Sequence, residues 1–483
     1  MITPPEGRSP IRRAAIANLG CKVNQAEMDA AERLLRARGI ELVDGHEPAD
    51  LVLVNTCTVT AVADRKSRQA VRRARRNNPS AQVLVTGCSV VVDPAMLAAA
   101  DPAALLFDNE SKVRLLAELD GLPAIQGGRP LPTLSGVEPS IPTAAEPHSG
   151  RAFGLDGAEG SLEDDFDARP AIDRTRAFVK IQDGCSFHCT YCIIPRARGP
   201  ERSVAAEAVL DDVLGALAAG HREVVLTGIN AGSYGDAGLD LAGLVRRLLD
   251  ETPVERVRLS SIEPQHLTDD LLDVWTGSAG RCLPHFHIPL QSGDDTILRR
   301  MGRRYDAAAY AALLARVRGA VPGAALHADL IVGFPGEDEA AWARTLDFLR
   351  GLDLAGVHVF RYSARPGTPA ARMVGLVDAR TKKWRAAEAR ALAAEARASF
   401  AGRQVGAEMR VLFEQPLPDG RWLGHAESHV LVAAAAPEGG SLENAIGLVR
   451  GESIDPGAPD RVIGRLLAVD PAPAAPEQPA IGQ

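Results

Sequence analysis

The 483-residue sequence contains no apolar run approaching the roughly 18 residues that a membrane-spanning helix requires, which excludes a helical membrane protein. Early arginines and a short apolar patch look like the start of a secretory leader, but Asn18, Lys22 and Asn24 break the patch too soon. The expected compartment is the cytoplasm, with no membrane partner. Cysteine is scarce, at seven residues. Neither the paired CxxC knuckles of a zinc ribbon nor the isolated CxxC of a thioredoxin-type site occurs. An odd count in a reducing compartment favours metal binding over disulfides. Positive charge is not in excess either: 54 Lys and Arg face 62 Asp and Glu, for a net charge of −8. That balance argues against nucleic acid as a partner of the whole surface and leaves local basic patches to be judged separately.

What is present is the composition of a globular protein, 46% apolar and 24% charged, in a chain long enough for about three domains. The stretch from Lys180 to Gly199, KIQDGCSFHCTYCIIPRARG, sets Cys185, Cys189 and Cys192 in a CxxxCxxC spacing. Three thiolates so close can hold one metal centre, and with the zinc and dithiol patterns set aside an iron–sulfur cluster remains. A four-iron cluster with three Cys ligands keeps one iron open to a substrate or cofactor. The competing reading is a structural metal knob. CxxxCxxC resembles the signature of radical S-adenosylmethionine enzymes, with Tyr191 as the aromatic before the third cysteine. The resemblance implies that the open iron binds S-adenosyl-L-methionine. Ser186, Phe187 and His188 depart from the family, which commonly has Asn after the first cysteine.

Residues 11–118 alternate apolar runs with amphipathic stretches, the pattern of a parallel α/β domain. Three strand-like runs end directly in Cys21, Cys57 and Cys88. In a parallel sheet the carboxyl ends share one edge, so these thiols are expected to converge there. Asn24 is expected to cap the helix that follows Cys21, with Glu27 three residues on. NLGCKVNQAE, VNTCTVT and VTGC resemble the amino-terminal domain of the methylthiotransferases, whose three cysteines bind a second 4Fe-4S cluster. The helix after Cys57 carries Arg65, Lys66, Arg68, Arg72, Arg73, Arg75 and Arg76. It reads either as a solvated face or as an RNA contact.

Residues 119–173 are rich in Pro, Gly, Ala and Ser and read as a flexible linker. Over 174–400, six apolar strands alternate with helical stretches near 203–219, 239–251, 267–276, 306–319 and 337–351, which implies an open TIM-like (β/α)6 barrel. Active sites in such barrels occupy the carboxyl-terminal face. The residues expected there to bind S-adenosyl-L-methionine are Tyr191, Thr227, Gly228, Asn230, Ser260, Glu263, Gln291, Asp329 and Gly333. Several of them have the alternative reading of turn formers or caps. Arg299, Arg300, Arg303 and Arg304 form a second candidate RNA surface. LTGIN, LSSIEP, DLIVGFPGE and FRYSARPGTPA resemble the methylthiotransferase branch specifically.

Residues 401–469 hold short alternating strands, expected to form a small five-stranded β-barrel of the oligonucleotide-binding kind. It resembles the TRAM domain. Trp422 reads as a base-stacking residue or as core. The tail, 470–483, is Pro/Ala-rich and expected to be disordered.

The resemblance implies a transferase that uses two 4Fe-4S clusters and S-adenosyl-L-methionine. A 5'-deoxyadenosyl radical generated at Cys185/Cys189/Cys192 removes a hydrogen, and sulfur held at Cys21/Cys57/Cys88 is methylated and transferred. GCKVNQAE and the CxxxCxxC segment look most like the branch acting on N6-threonylcarbamoyladenosine, at adenosine 37 of the tRNA anticodon loop. The alternatives are the branches acting on N6-isopentenyladenosine, with GCQMN, and on a ribosomal-protein aspartate, with GCPKN. An electron donor such as flavodoxin or ferredoxin and a sulfur source are implied partners. The different-class alternative is a noncatalytic iron–sulfur or zinc-dependent RNA-binding protein.

Overall fold

The computed structural model describes residues 11–112, 175–437 and 440–470. The expected linker, 119–173, lies outside the described residues, as does the expected tail except for Asp470, which ends a strand.

The amino-terminal unit is a parallel sheet in the order Glu41–Leu42, Arg13–Asn18, Leu51–Thr56, Gln82–Gly87, Leu105–Leu106. The run LVLVNT is buried at every position, as a central strand covered on both faces must be. Its side chains alternate between two cores. Leu51 and Leu53 pack with Met28, Ala31 and Leu35 of the helix Lys22–Ala37. Val52 and Val54 pack with Val71 and Ala74 of the helix Ala61–Asn77. The second helix buries only Ser67, Val71 and Ala74, which leaves its basic side chains outside the core.

Six parallel strands form the central unit, in two ladders of three. Arg176–Lys180, Glu223–Thr227 and Val257–Leu259 make the first, and His285–His287, Ala325–Val332 and Gly356–Arg361 the second. A parallel bridge between Ser261 and His287 joins the ladders. Helices wrap the outside, and six of the described ones start where the sequence supplies a side-chain acceptor: Asp240, Thr268, Asp294, Asp306, Asp338 and Asp378 each accept from a backbone N–H within the first turn. Along Ala325–Val332 burial alternates. Leu326, Ala328, Leu330 and Val332 join the helix-facing core, while His327, Asp329 and Ile331 are turned the other way, into the lumen.

The carboxyl-terminal unit is a closed five-stranded barrel, with Leu431–Ala435 paired in parallel to Ala458–Asp470 and the remaining pairs antiparallel. It covers the amino-terminal end of the central barrel. There Arg256 and Arg258 both pair with the fully buried Glu223 and donate onward to the carbonyls of Arg410, His425 and Glu427. Burial would raise the Glu223 pKa, but the two guanidinium charges outweigh it and hold the carboxyl well below its usual range.

Candidate active site at two cysteine trios

Cys21, Cys57 and Cys88 follow three adjacent parallel strands, Arg13–Asn18, Leu51–Thr56 and Gln82–Gly87. Cys21 is the N-cap of the helix Lys22–Ala37, Cys57 leaves its strand directly, and Cys88 opens a short helix. The thiols are close enough to affect one another's ionisation. Burial, then the charges of Cys88 and Cys21, push Cys57 up to about 12. Beneath them lies an amide scaffold. Asn24 Nδ2 donates to Asn55 Oδ1 at 3.3 Å and to the Thr56 carbonyl at 3.2 Å, and Asn55 Nδ2 returns a bond to the Asn24 carbonyl at 3.1 Å. Asn24 is therefore buried inside the helix and Cys21 stands at its cap, which corrects the expected capping role of Asn24. At Gly87, φ is +103° and a Cβ would lie 2.2 Å from the Thr56 carbonyl oxygen, so no other residue fits before Cys88.

The second trio sits on an excursion from the first barrel strand. Gln182–Asp183 pairs antiparallel with Arg202–Ser203 and closes the loop at its base. Gly184, at φ +69°, lies so near the Pro200 carbonyl oxygen that a Cβ would be 1.9 Å away. Cys185 N–H donates to the Gly199 carbonyl at 3.1 Å, and Thr190 is bonded to the carbonyls of Met301 and Arg300. Burial, then the neighbouring thiols and acids, push Cys185 up to about 11 and Cys192 up to about 12. Arg303 Nη1 donates to Cys189 Sγ at 3.2 Å, and the same guanidinium pairs with Glu263.

The units that carry the two trios meet across a seam at Arg198 and Glu27. Arg198, six residues past Cys192, has a fully buried side chain that donates to Asn24, to Glu27 at 3.1 Å and to Asp183 at 2.9 Å, and its charge acts on Cys88 and Cys21. Lys180 and Lys112 also pair with Glu27. Burial alone would raise the Glu27 pKa; Lys112, Arg198 and Lys180 together hold it far below the ordinary carboxylate range. A second tie runs from Arg365 to Thr58 Oγ1 at 2.8 Å and to Asp64.

The donor sets fit iron–sulfur chemistry. Burial and neighbouring thiols raise the pKa of Cys57 and Cys88 in one trio, and of Cys185 and Cys192 in the other, so thiolates at these positions call for a strongly positive centre. Most of the residues expected to bind S-adenosylmethionine stand at or beyond the carboxyl ends of their strands, Asp329 lies inside its strand, and two of the set keep unsatisfied polar atoms. Asn230 Oδ1 and Ser260 Oγ are buried without a partner, Asn230 N–H is held by Gln182 Oε1 at 2.8 Å, and Gly228 lies against the Gln182 side chain. Thr227 is buried at the end of its strand and registers with Lys180. Tyr191 packs edge-on to Phe334 with centroids 6.4 Å apart. Gln291 has φ +73° and bridges to Leu330. Gly333, at φ +74°, donates its N–H to Glu337 Oε2 at 2.6 Å. Asp329 is engaged by His287 at 2.9 Å and by His358 at 3.4 Å.

The candidate RNA residues divide. Arg72, Arg73 and Arg76 are exposed together on the basic helix, as is Arg65, with Lys66 and Arg68 half-buried beside them. Arg75 is instead committed to Asp101 and to the carbonyls of Pro79 and Ala81. Of the second group, Arg299 and Arg304 are exposed, whereas Arg300 is tied to the carbonyls of Pro335 and Val374. Arg303 is no surface residue: its side chain is 3% exposed and sits on a cysteine of the trio. Trp422 packs against the core of the terminal barrel, because strand alternation turns it inward. The sequence reading missed Arg198, His287 and His358 and gave Glu27 only as the capping partner of Asn24. Arg198 and Glu27 each stand six residues past a cysteine, Cys192 and Cys21.

Residues 179–349 match the radical SAM superfamily, and residues 13–108 match the uncharacterized protein family UPF0004. The chain is 35% identical over 433 residues to the threonylcarbamoyladenosine tRNA methylthiotransferase MtaB of Bacillus subtilis, covering 88% of this chain and 90% of that protein. It is 33% identical to the enzyme of the same name from Thermotoga maritima, covering 87% and 91%. The tRNA-2-methylthio-N(6)-dimethylallyladenosine synthase of Maricaulis maris is 31% identical, covering 92% and 95%. The radical S-adenosylmethionine methyltransferase TsrM of Kitasatospora setae, solved with cobalamin and a [4Fe-4S] cluster, shares the fold with a TM-score of 0.52 at 17% identity, covering 75% of this chain and 74% of that one. The chain thus belongs to the radical S-adenosylmethionine methylthiotransferases.

Proposed function

We infer that the protein places a methylthio group on carbon 2 of N6-threonylcarbamoyladenosine at position 37 of tRNA, and that both trios, Cys185/Cys189/Cys192 and Cys21/Cys57/Cys88, hold 4Fe-4S clusters. The reading is carried by the buried Arg198–Glu27 seam, which fastens the loop of one trio to the helix that begins at the other, because transfer of sulfur to a carbon radical needs the two centres held in a fixed relation. When bound, the clusters and S-adenosylmethionine supply the radical and the sulfur. The chain's own residues supply position. Arg198 and Arg303 put guanidinium charge against the thiols of each trio. Glu27, Lys112 and Lys180 exclude water from the seam by filling it with paired charge.

The choice of threonylcarbamoyladenosine rests on the higher identity to relatives that carry that name than to those named for dimethylallyladenosine. The exposed arginines of the helix Ala61–Asn77 and the small terminal barrel favour an RNA partner, with the boundaries 11–118, 174–400 and 401–469 as its working units. Cytoplasmic tRNA suits a chain in which no described helix is long and apolar enough to cross a membrane.

The test is nucleoside analysis of tRNA by mass spectrometry from cells lacking the gene, with a complemented strain alongside. Loss of 2-methylthio-N6-threonylcarbamoyladenosine with accumulation of its precursor is the expected result. Loss of the dimethylallyl analogue instead would keep the chemistry and overturn the substrate.

A further inference from the structure

As a strut between the two units, Arg198 needs only its terminal nitrogens. Nη1 donates to Glu27 Oε1 at 3.1 Å and to Asp183 Oδ1 at 2.9 Å, and Nη2 donates to Asn24 Oδ1 and, at 3.4 Å, to Glu27 Oε2. Those bonds leave Nε unexplained. It is a buried donor with no acceptor among the described residues. A buried N–H on a permanently charged group is costly to leave unmet, and folded chains keep few of them unless a bound group supplies the acceptor.

The guanidinium stands beside the amino-terminal trio. Asn24 Oδ1, which takes the Nη2 bond, also accepts from Cys21 Sγ at 3.7 Å, so one oxygen joins the arginine to the first cysteine. The short helix Ile194–Arg198 packs against the short helix Cys88–Val92, which the third cysteine opens. Asn109 Nδ2 holds the end of the arginine's helix by a bond to the Ala197 carbonyl at 3.0 Å. The influence of Cys88 and Cys21 on the ionisation of Arg198 agrees with this placement.

We propose that Arg198 tunes the amino-terminal centre: its Nε–H donates to a sulfur of the cluster held there, and the bond and its charge raise that cluster's reduction potential. This rests on the reading above that Cys21, Cys57 and Cys88 hold a 4Fe-4S cluster. A reduced cluster carries one more negative charge than an oxidised one, so a fixed guanidinium and a donated hydrogen bond stabilise the reduced form more. Little solvent reaches the fully buried side chain to screen the effect. Because Arg198 follows the CxxxCxxC loop, the amino-terminal centre reaches its working potential only when the two units are docked.

The test is an EPR-monitored redox titration of the full chain carrying C185A, C189A and C192A, which leaves the amino-terminal centre to be titrated alone, with iron per chain measured in parallel. R198Q is expected to disfavour reduction at least about tenfold, which lowers the potential by about 59 mV for a one-electron couple. R198K keeps a charge but has no Nε–H, and should lower it by less. E27Q removes a negative charge from the same seam and should raise it. Simple loosening of the seam would admit water and move R198Q and E27Q in the same direction, so opposite signs separate tuning from support. An unchanged or raised potential in R198Q at full iron loading overturns the inference and leaves the cluster standing. Should R198Q not load iron, R198K decides, and a wild-type potential there overturns the inference equally. If the chain with Arg198 intact binds no iron at the amino-terminal trio, the reading of a cluster there falls and takes the inference with it.

Discussion

Arg198 and Glu27 are 171 positions apart, yet the guanidinium donates to Glu27 Oε1 at 3.1 Å with the Arg198 side chain fully buried. This bond and its neighbours fasten the radical S-adenosylmethionine loop to the helix that begins at the other trio. Removing the carboxylate takes from buried Lys112 its acidic partner and leaves Arg198 and Lys180 to Asp183. E27Q is expected to destabilise the folded chain by about 3–5 kcal/mol. Urea unfolding would read this, and an unchanged midpoint would show that the seam is not held by charge. The sign with pH is fixed. The folded Glu27 pKa lies below its unfolded value, so its contribution is complete above the unfolded pKa and is lost as acidification proceeds toward the folded one.

Arg303 makes a prediction confined to the other trio. Its bond to Cys189 Sγ and its pairing with Glu263 put one positive charge beside the CxxxCxxC thiols. R303Q should lower reductive cleavage of S-adenosylmethionine by at least about tenfold, or some 1.4 kcal/mol. The measurement is 5'-deoxyadenosine release by reduced, reconstituted protein, with iron per chain determined in parallel. Wild-type release at full iron loading would remove Arg303 from the site.

Gly184 precedes Cys185 with φ +69° and the Pro200 carbonyl pressed against it. G184A forces the loop base apart, since the obstructing atom is backbone. Iron bound by the CxxxCxxC trio should fall, while a protein carrying substitutions at Cys185, Cys189 and Cys192 should be indifferent to the added change. Equal iron loss in both would place the effect elsewhere.

The lumen histidines give a pH dependence. His285 is 6% exposed, and burial, then the charge of His327, lower its pKa well below the ordinary value. Burial, then His287 and His358, bring His327 down to about 3. Both stay neutral in the folded chain at pH values where the unfolded chain binds a proton. Their contribution is complete above about pH 6.5 and is lost as the pH falls from there toward 3. Each contributes a slope of about 1.4 kcal/mol per pH unit in that window. Denaturant midpoints at pH 7 and pH 5 should differ accordingly, and H327F should flatten the dependence.

Charge reversal at the exposed residues Arg72, Arg73 and Arg76 should weaken tRNA binding and reduce its salt slope by up to about three. The same reversal at Arg75, which is bound to Asp101, should chiefly cost stability. Equal binding losses from both variants would argue for a fold effect in place of an RNA surface.

Local pattern made much of this architecture legible. Apolar runs ending in cysteine read as parallel strands because burial on both faces demands continuous hydrophobicity, as in LVLVNT. CxxxCxxC read as a ligand loop because its three thiols are neighbours in the chain. Six alternations of strand and helix read as an open barrel for the same local reasons, and the capping acceptors Asp240, Asp306 and Asp338 stand at helix starts.

Partners distant in sequence were not legible. Arg303 was grouped with a surface cluster because four arginines in six positions look alike as letters; only packing turned it onto Cys189 and left Arg304 outside. Asn24 read as a cap because its type favours helix starts, but its amide is drawn inward by Asn55 and Thr56 from the next strand.

The sequence by itself determined the two sets of three cysteines and the strands that carry them, because residue spacing and strand period are properties of neighbouring positions. Tertiary structure alone decided which charges are buried against one another. Arg198 with Glu27 and Arg256 with Glu223 owe their roles to desolvation and to distances of about 3 Å, and those exist only once separate parts of the chain have closed around them.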